Sequence, residues 1–386
     1  RNNQIVIGLL KHHGIKRIIA SPGATNVSFI ASVQEDDFFE IYSCVDERSA
    51  AYIACGMAAE AQEPVVLSCT GATASRNYLP GLTEAFYRHL PVLAITSTMP
   101  ISRIGHNVAQ CIDRTNILND IVKISVHIPI IKDDEDEWIT NVRANEAMLE
   151  LTHGVGGPAH INLETNQAGS FDIQEIKSVK PINRIMYNDD FPDIDGKVAI
   201  FVGNHPIWSK QLYDVVEIFC ENYNAVVFTD HTSNYKGKYS CQAGLISTQK
   251  RYKSDILQVD TLIHIGDVSG AYLNINPQKV WRVSKDGKLC DYFRKLRYVF
   301  EMSELEFFSK MNELVVRKGK STSNSMMAKN EYRHILNKIP ELPFSNLWVA
   351  QNTSKRLPDY CVLHLGILNS LRSWNFFEVS ETITCY

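Results

Sequence analysis

The sequence predicts an α/β protein made of doubly wound parallel-sheet domains. Two observations carry this. Helix-like and strand-like segments alternate along the chain, and the strands are continuous apolar runs instead of apolar–polar alternations. Such runs suit strands covered by helices on both faces, which is the setting of a parallel sheet.

In order, "QIVIGLLKHHG" reads as a helix closed by Gly14 and "KRIIASPG" as a strand entering a turn. "NVSFIASVQED" is a helix, "FFEIYSCV" a strand, "ERSAAYIACGMAAEAQ" a helix and "PVVLSCT" a strand. "YLPGLTEAFYRH" is a helix, "PVLAITST" a strand, "EWITNVRANEAMLELTHG" a helix and "GPAHINL" a strand. These fill a first domain over 1–166. A polar stretch with several prolines, 167–194, reads as a linker. A second α/β unit spans 195–315: "GKVAIFVGNHP", the helix "SKQLYDVVEIFCENY", then "AVVFTD", "DTLIHIGDV" and "KVWRVSKDG". The charged segment 316–330 reads as a second linker. Residues 331–386 then begin a third unit, with helix "NLWVAQNTSKRLP", strand "CVLHLGILNSLR" and "ITCY", which is expected to be truncated. A few residues are also expected to be missing before Arg1.

Composition narrows the function classes. The 386 residues carry a formal charge of −4 and are 45% hydrophobic. A large basic face for nucleic acid is not expected. No apolar run approaches the ~20 residues of a spanning helix, and the polar start does not read as a signal peptide. Nine scattered cysteines without a C-x-x-C pair argue against a disulfide framework or zinc site. Reduced thiols in a cytoplasmic protein are the expectation.

In a doubly wound sheet, ligands sit outside the carboxyl ends of the strands. Three strand ends are rich in turn and polar residues: "SPGATN" (Ser21–Asn26), "DER" (Asp46–Arg48) and "CTGATASRN" (Cys69–Asn77). Taken singly, each is an ordinary connector. Glu47 is the sharpest feature. An acid in the first helical turn interacts well with the helix dipole, and Asp46 could cap the same helix. The flanks "CV" and "SAAYIACGMAA" would also give Glu47 apolar surroundings, where a carboxyl is held ready to share a proton. The phosphate-loop pattern G-x-x-x-x-G-K-S/T is absent. "GVGGPA" (Gly154–Ala159) follows a helix and enters a strand, the reverse of the dinucleotide-binding order, and reads as a tight turn. "DDEDEWI" reads as a solvated helix start, with no metal expected.

In sequence, "SPGATN", "DERSAAYIACGMA", "CTGATASRNYLPGLTEAFYRHLPVLAITS", Gln110 and "GPAHINL" resemble the N-terminal pyrimidine-binding domain of thiamine-diphosphate-dependent 2-oxo acid decarboxylases and carboligases, the acetolactate synthase-like enzymes. The D-E-R, "NYLPGLTEAF" and "VWRVSKDG" resemble the menaquinone-pathway branch in particular, the synthases of 2-succinyl-5-enolpyruvyl-6-hydroxy-3-cyclohexene-1-carboxylate. The resemblance is strong over the first 165 or so residues, weaker in the middle and slight at the end. It implies a pyrimidine-binding-type domain, a central Rossmann-like domain and the beginning of a diphosphate-binding domain. It implies that Glu47 exchanges a proton with a ring nitrogen of the aminopyrimidine, and that Gln110 faces the reacting centre. It implies further that Pro22, Gly23, Ala24, Thr70, Gly71, Thr73 and Asn77 border thiamine diphosphate. Mg²⁺ would be held by a G-D-G…N motif that the printed sequence does not contain, and the cofactor would lie between chains of a homodimer or homotetramer.

This sequence also departs from that branch. Where its members carry arginines after the Ser-Pro-Gly turn and after the strand matching "AITS", and a Ser-Lys-Arg run in the middle domain, it reads Ala24-Thr25, Met99 and approximately Gly270-Ala271. A 2-oxo acid with a smaller or less charged tail is therefore expected, with Arg76 or Arg103 as substitute cations. Two rival readings stand beside the enzyme: a non-catalytic scaffold or interaction module of the same fold, and a nucleotide-dependent dehydrogenase lacking its glycine fingerprint.

Overall fold

The computed structural model describes residues 1–114, 117, 119–166, 175–271, 273–315 and 323–386. Residues 167–174 of the expected first linker and 316–322 of the second lie outside the described residues. The chain divides into two compact units, Arg1–Ile182 and Asn183–Tyr386.

The first unit runs α1 (Asn2–His12), β1 (Arg17–Ala20), α2 (Val27–Gln34), β2 (Glu40–Ser43), α3 (Glu47–Ala61), β3 (Val65–Thr70), α4 (Thr73–Asn77), α5 (Leu79–Tyr87), β4 (Val92–Thr98), β5 (Ile124–Ile128), α6 (Asp134–Glu150) and β6 (Ala159–Glu164). Its six strands form one sheet in the order β2-β1-β3-β4-β6-β5, and every pair is parallel. One face is buried under α1, α2 and α6 through Ile5, Leu9, Phe29, Ala144 and Met148. The other is buried under α3 and α5 through Ala50, Ala54, Ala58 and Leu82. Small residues on α3 let it lie close to the sheet. The acid-rich start of α6 is a helix first turn capped by Asp133, whose carboxylate accepts from the Asp136 N–H.

Strand β5 does not appear in the sequence reading. It is an edge strand whose Ser125 and His127 alternate with apolar residues, so it lacks the continuous run of a central strand.

The second unit contains β7 (Asn183–Ile185), β8 (Val198–Val202), α7 (Lys210–Tyr223), β9 (Val226–Thr229), β10 (Ser240–Cys241), α8 (Gly244–Ser247), β11 (Gln258–Ile265), β12 (Asn276–Val283), β13 (Leu296–Phe300), α9 (Glu304–Glu313), α10 (Asn324–Leu336), α11 (Asn346–Thr353), β14 (Val362–Leu363), α12 (Asn369–Trp374) and β15 (Thr384–Cys385). Seven parallel strands, β10-β9-β8-β11-β12-β13-β7, form its main sheet. Strand β7 lies within the stretch read as a linker: three residues extend the sheet edge beside β13. Helix α10 likewise starts inside the second linker stretch, capped by Ser323. "CVLHLGILNSLR" differs from the single strand expected. Only Val362–Leu363 pairs, with Thr384–Cys385, and Asn369–Trp374 is helical. Among the described residues no helix is long and apolar enough to cross a membrane. All nine thiols are unpaired.

Candidate functional site

The order β2-β1-β3 reverses direction at β1, so a crevice opens between the carboxyl ends of β1 and β3, where doubly wound sheets bind ligands. The Ser21–Asn26 turn leaves β1 and the Gly71–Asn77 segment leaves β3, one on each side of that crevice.

Buried polar residues hold the first turn. The Ser21 N–H donates to the Ser68 carbonyl at 2.8 Å, and Ser21 Oγ to the Cys44 carbonyl at 2.8 Å. Fully buried Asn26 accepts from the Gly23 N–H at 2.8 Å and donates back to the Ser21 carbonyl at 3.2 Å. Pro22 and Ala24 stand exposed at the crest. The second turn is stitched to the first by Thr25. Its Oγ1 donates to the Ser97 carbonyl at 2.9 Å and accepts from the Gly71 N–H at 3.3 Å. Thr70 Cγ2 stands 2.2 Å from where a Cβ on Gly23 would be, so the two turns touch. Thr73 is exposed and Asn77 partly buried in α4.

Glu47 is the first residue of α3, and Asp46 is its cap, accepting from the Ser49 N–H at 2.9 Å. The dipole-and-cap arrangement weighed from sequence is thus present. Glu47 is partly buried, while the apolar residue before it, Val45, is 88% exposed, and Tyr52 and Ile53 also face solvent. The apolar enclosure expected around Glu47 is therefore not built by this chain alone. The carboxylate does act on two inward groups. Burial pushes the Cys69 thiol up to about 12 and raises the Tyr78 hydroxyl, and the Glu47 charge adds to both shifts.

The structure gathers Pro22, Gly23, Ala24, Glu47, Thr70, Gly71, Thr73 and Asn77 at one sheet edge. Gln110 reaches it through its backbone: its carbonyl lies 3.1 Å from where a Cβ on Gly71 would be. Its side chain is exposed and its φ is 59°. Of the suggested substitute cations, Arg76 donates to the Asp113 carbonyl at 2.9 Å, and Arg103 Nη1 lies 3.4 Å from Met99 Sδ.

Sequence reading missed a buried polar layer beside this edge. His160, Asn162 and Glu164 alternate along β6 and share one face. His160 is held between Thr96 Oγ1 at 2.8 Å and Ser125 Oγ at 2.7 Å. Burial, with the Arg114 charge adding, takes its ring down to about 3. Asn162 bonds His127 at 3.1 Å and accepts from Arg114 at 2.6 Å. Glu164 accepts from the Ile101 and Ile130 N–H groups at 2.8 and 3.1 Å. The signal was the polar alternation inside "AHINLE".

The second unit also has a switch point, between β8 and β11. The chain itself packs against the loops there. The His231 N–H donates to Asn375 Oδ1 at 3.0 Å, and Ile367 Cγ1 is 2.6 Å from where a Cβ on Gly270 would be.

Comparison with known proteins finds similarity over the segment that carries these residues. Residues 2–117 match the family described as thiamine pyrophosphate enzyme, N-terminal TPP binding domain. The chain is 27% identical to a 2-succinyl-5-enolpyruvyl-6-hydroxy-3-cyclohexene-1-carboxylate synthase of Phocaeicola vulgatus, over 98% of this chain and 70% of the relative. It is also 27% identical to the Bacteroides thetaiotaomicron protein of that name, over 98% of this chain and 71% of the relative. A Porphyromonas gingivalis protein of that name is 34% identical over 41% of this chain and 28% of its own length.

Proposed function

We propose that this chain, a member of the thiamine-diphosphate-dependent enzyme family close to the 2-succinyl-5-enolpyruvyl-6-hydroxy-3-cyclohexene-1-carboxylate synthases, takes part in decarboxylation of a 2-oxo acid and transfer of the resulting acyl-anion equivalent to an acceptor. The single observation that carries the reading is the position of Glu47, at the start of α3 beside the two turns of the β1/β3 crevice.

The residues present fit the ring end of the cofactor. A carboxyl group and two turns with exposed crests end neighbouring strands, and Val27, Val45 and Tyr52, which flank these segments in sequence, are exposed. When bound, thiamine diphosphate supplies carbanion stabilisation. The chain's own residues do the rest. Glu47 holds and exchanges a proton at its carboxyl oxygen. Pro22, Gly23 and Ala24, with Thr70, Gly71, Thr73 and Asn77, orient the ring, and Gln110 faces the reacting carbon. Among the described residues no group of three His, Cys, Asp or Glu side chains comes together to hold a metal. The exposed apolar residues around Glu47 suit cover by a second copy, which would remove water from the carboxyl. A cytoplasmic homodimer or homotetramer is the assembly this reading implies.

Glu47→Gln tests it. Cofactor-dependent release of CO₂ from 2-oxo acids should fall by about 10²–10⁴-fold, the usual worth of one acid–base group. Undiminished turnover would remove Glu47 from the chemistry. Wild-type protein that binds the cofactor without turnover of any 2-oxo acid would favour the scaffold.

A further inference from the structure

The connection between β4 and β5 carries a guanidinium that no carboxylate among the described residues pairs with. Arg114 is only 4% exposed. Its Nη2 donates to Asn162 Oδ1 at 2.6 Å, while Nε and Nη1 are buried without an acceptor. Burial lowers it to about 10, so it stays cationic at neutral pH. The groups acting on its charge are the Cys69 and Cys111 thiols and a second arginine, Arg76. Arg76 is exposed and bonds the Asp113 carbonyl. Among the described residues neither arginine pairs with a carboxylate. Two neighbouring cations, one sealed from water with N–H groups unmet, are strongly unfavourable unless an anion joins them.

The location narrows the choice of anion. Arg114 Nη2 lies 3.6 Å from where a Cβ on Gly71 would be, and the Gln110 carbonyl lies 3.1 Å from the same point. The charge therefore sits behind the turn and the glutamine expected nearest the reacting centre. The positions reading Ala24, Thr25 and Met99 supply no cation. We propose that Arg114, assisted by Arg76, is the carboxylate-binding group for the 2-oxo acid substrate. The inference rests on the decarboxylase reading above and names the residue that recognises its substrate class. Unmet guanidinium N–H groups form charge-assisted bonds to a carboxylate, which are the strong class of hydrogen bond.

The test is calorimetric titration of the chain with pyruvate and 2-oxobutyrate in the absence of thiamine diphosphate. Acetate and inorganic phosphate serve as controls. Arg114→Gln keeps a donor for Asn162 but removes the charge, and should weaken 2-oxo acid binding by about 10–100-fold. Arg114→Lys keeps the charge without the fork and should recover part of the loss. Arg76→Met, at an exposed cation, should weaken binding by about 2–5-fold. If Arg114→Gln does not fold, as judged by circular dichroism, the lysine variant carries the comparison. Unchanged affinity in the folded Arg114 variants would overturn the proposal, as would absence of 2-oxo acid binding to the wild-type chain. Phosphate bound as tightly as pyruvate through Arg114 would make this a general anion site and also overturn it. Because no cofactor is present, failure here is separate from the outcome of Glu47→Gln.

Discussion

Replacing Gly81 by alanine tests how closely the helix bearing Glu47 lies against its neighbour. Gly81 is on α5 and faces Ala51, one turn into α3. A Cβ at Gly81 would stand 2.4 Å from Ala51 Cβ and 3.0 Å from its carbonyl carbon. Two effects oppose each other. Alanine in place of a helical glycine gains roughly 1 kcal/mol of helix propensity. A methyl forced into a filled contact costs about 1–3 kcal/mol. At 2.4 Å the approach is far inside the ~3.5–4.0 Å optimum for carbon pairs, and both methyls are fixed to backbone. The upper part of the strain range therefore applies, and the net loss should be about 1–2 kcal/mol. Urea denaturation with an unchanged m-value would measure it. Ala51→Gly removes the methyl that is struck. Alone it should destabilise by about 1–2 kcal/mol, from propensity and one lost buried methyl. Combined with Gly81→Ala it should cost less than the sum, with a coupling of about 1–2 kcal/mol. If Gly81→Ala is stabilising by the full propensity gain and does not couple to Ala51→Gly, the two helices do not meet there. The placement of Glu47 over the crevice would then lose its mechanical basis.

The buried ring of His160 sets a pH dependence. Its folded value of about 3 lies below the ordinary 6.5, so between these limits the unfolded chain binds a proton that the folded chain does not. Its contribution is complete above the unfolded value and is lost as pH falls below it, at about 1.4 kcal/mol per pH unit. His160→Gln should reduce the pH slope of urea-derived stability by that one-proton amount between about pH 6 and pH 5; equal slopes would refute a neutral buried ring. Thiol reactivity checks the packing around β3. Burial pushes Cys55 up to about 11 and Cys69 up to about 12, while Cys290 is exposed. Iodoacetamide at about pH 8 should label Cys290 in the native chain and reach Cys55 and Cys69 only after unfolding. Peptide mass spectrometry reads the order, and early labelling of Cys69 would contradict it.

The parts of the molecule written in local periodicity were readable in advance. The apolar runs at Val65–Thr70 and Val92–Thr98 became central strands, and the turns that follow them lie where a doubly wound sheet binds ligands. Parts that depend on distant partners were not readable. Ile124–Ile128 is a strand because β6 pairs with it, not because of its own composition. "CVLHLGILNSLR" has an apolar content that suits either element. Its first residues pair with Thr384–Cys385, whereas Asn369–Trp374 closes helical turns. Arg114 gives no local signal, because its burial is decided by how the connection folds back onto Asn162. Glu47 stood out for its apolar flanks, yet Val45 and Tyr52 point to solvent. Sequence reports which residues are apolar, but not which surface will cover them.

The polar layer and the candidate site occur together for a physical reason. One face of the first sheet is sealed by three helices, and their backbone groups are satisfied within each helix. On the other face α3 and α5 cover only β1, β3 and β4. Over β6 the described contacts come from the connection after β4, through Ile101 and Arg114, and backbone outside helices and strands needs partners for its N–H groups. Side chains on the strand beneath must do so. Glu164 takes the Ile101 N–H of that connection and the Ile130 N–H just past β5, and Asn162 takes the connection's Arg114 side chain. An apolar face on β6 would leave those donors buried and unpaired, at about 1–3 kcal/mol each. The polar alternation in "AHINLE" is thus the counterpart of a missing helix. Covering the site with a loop brings charged and hydrogen-bonding groups to the sheet edge where Glu47 waits, whereas a packed helix would have presented only an apolar stripe there.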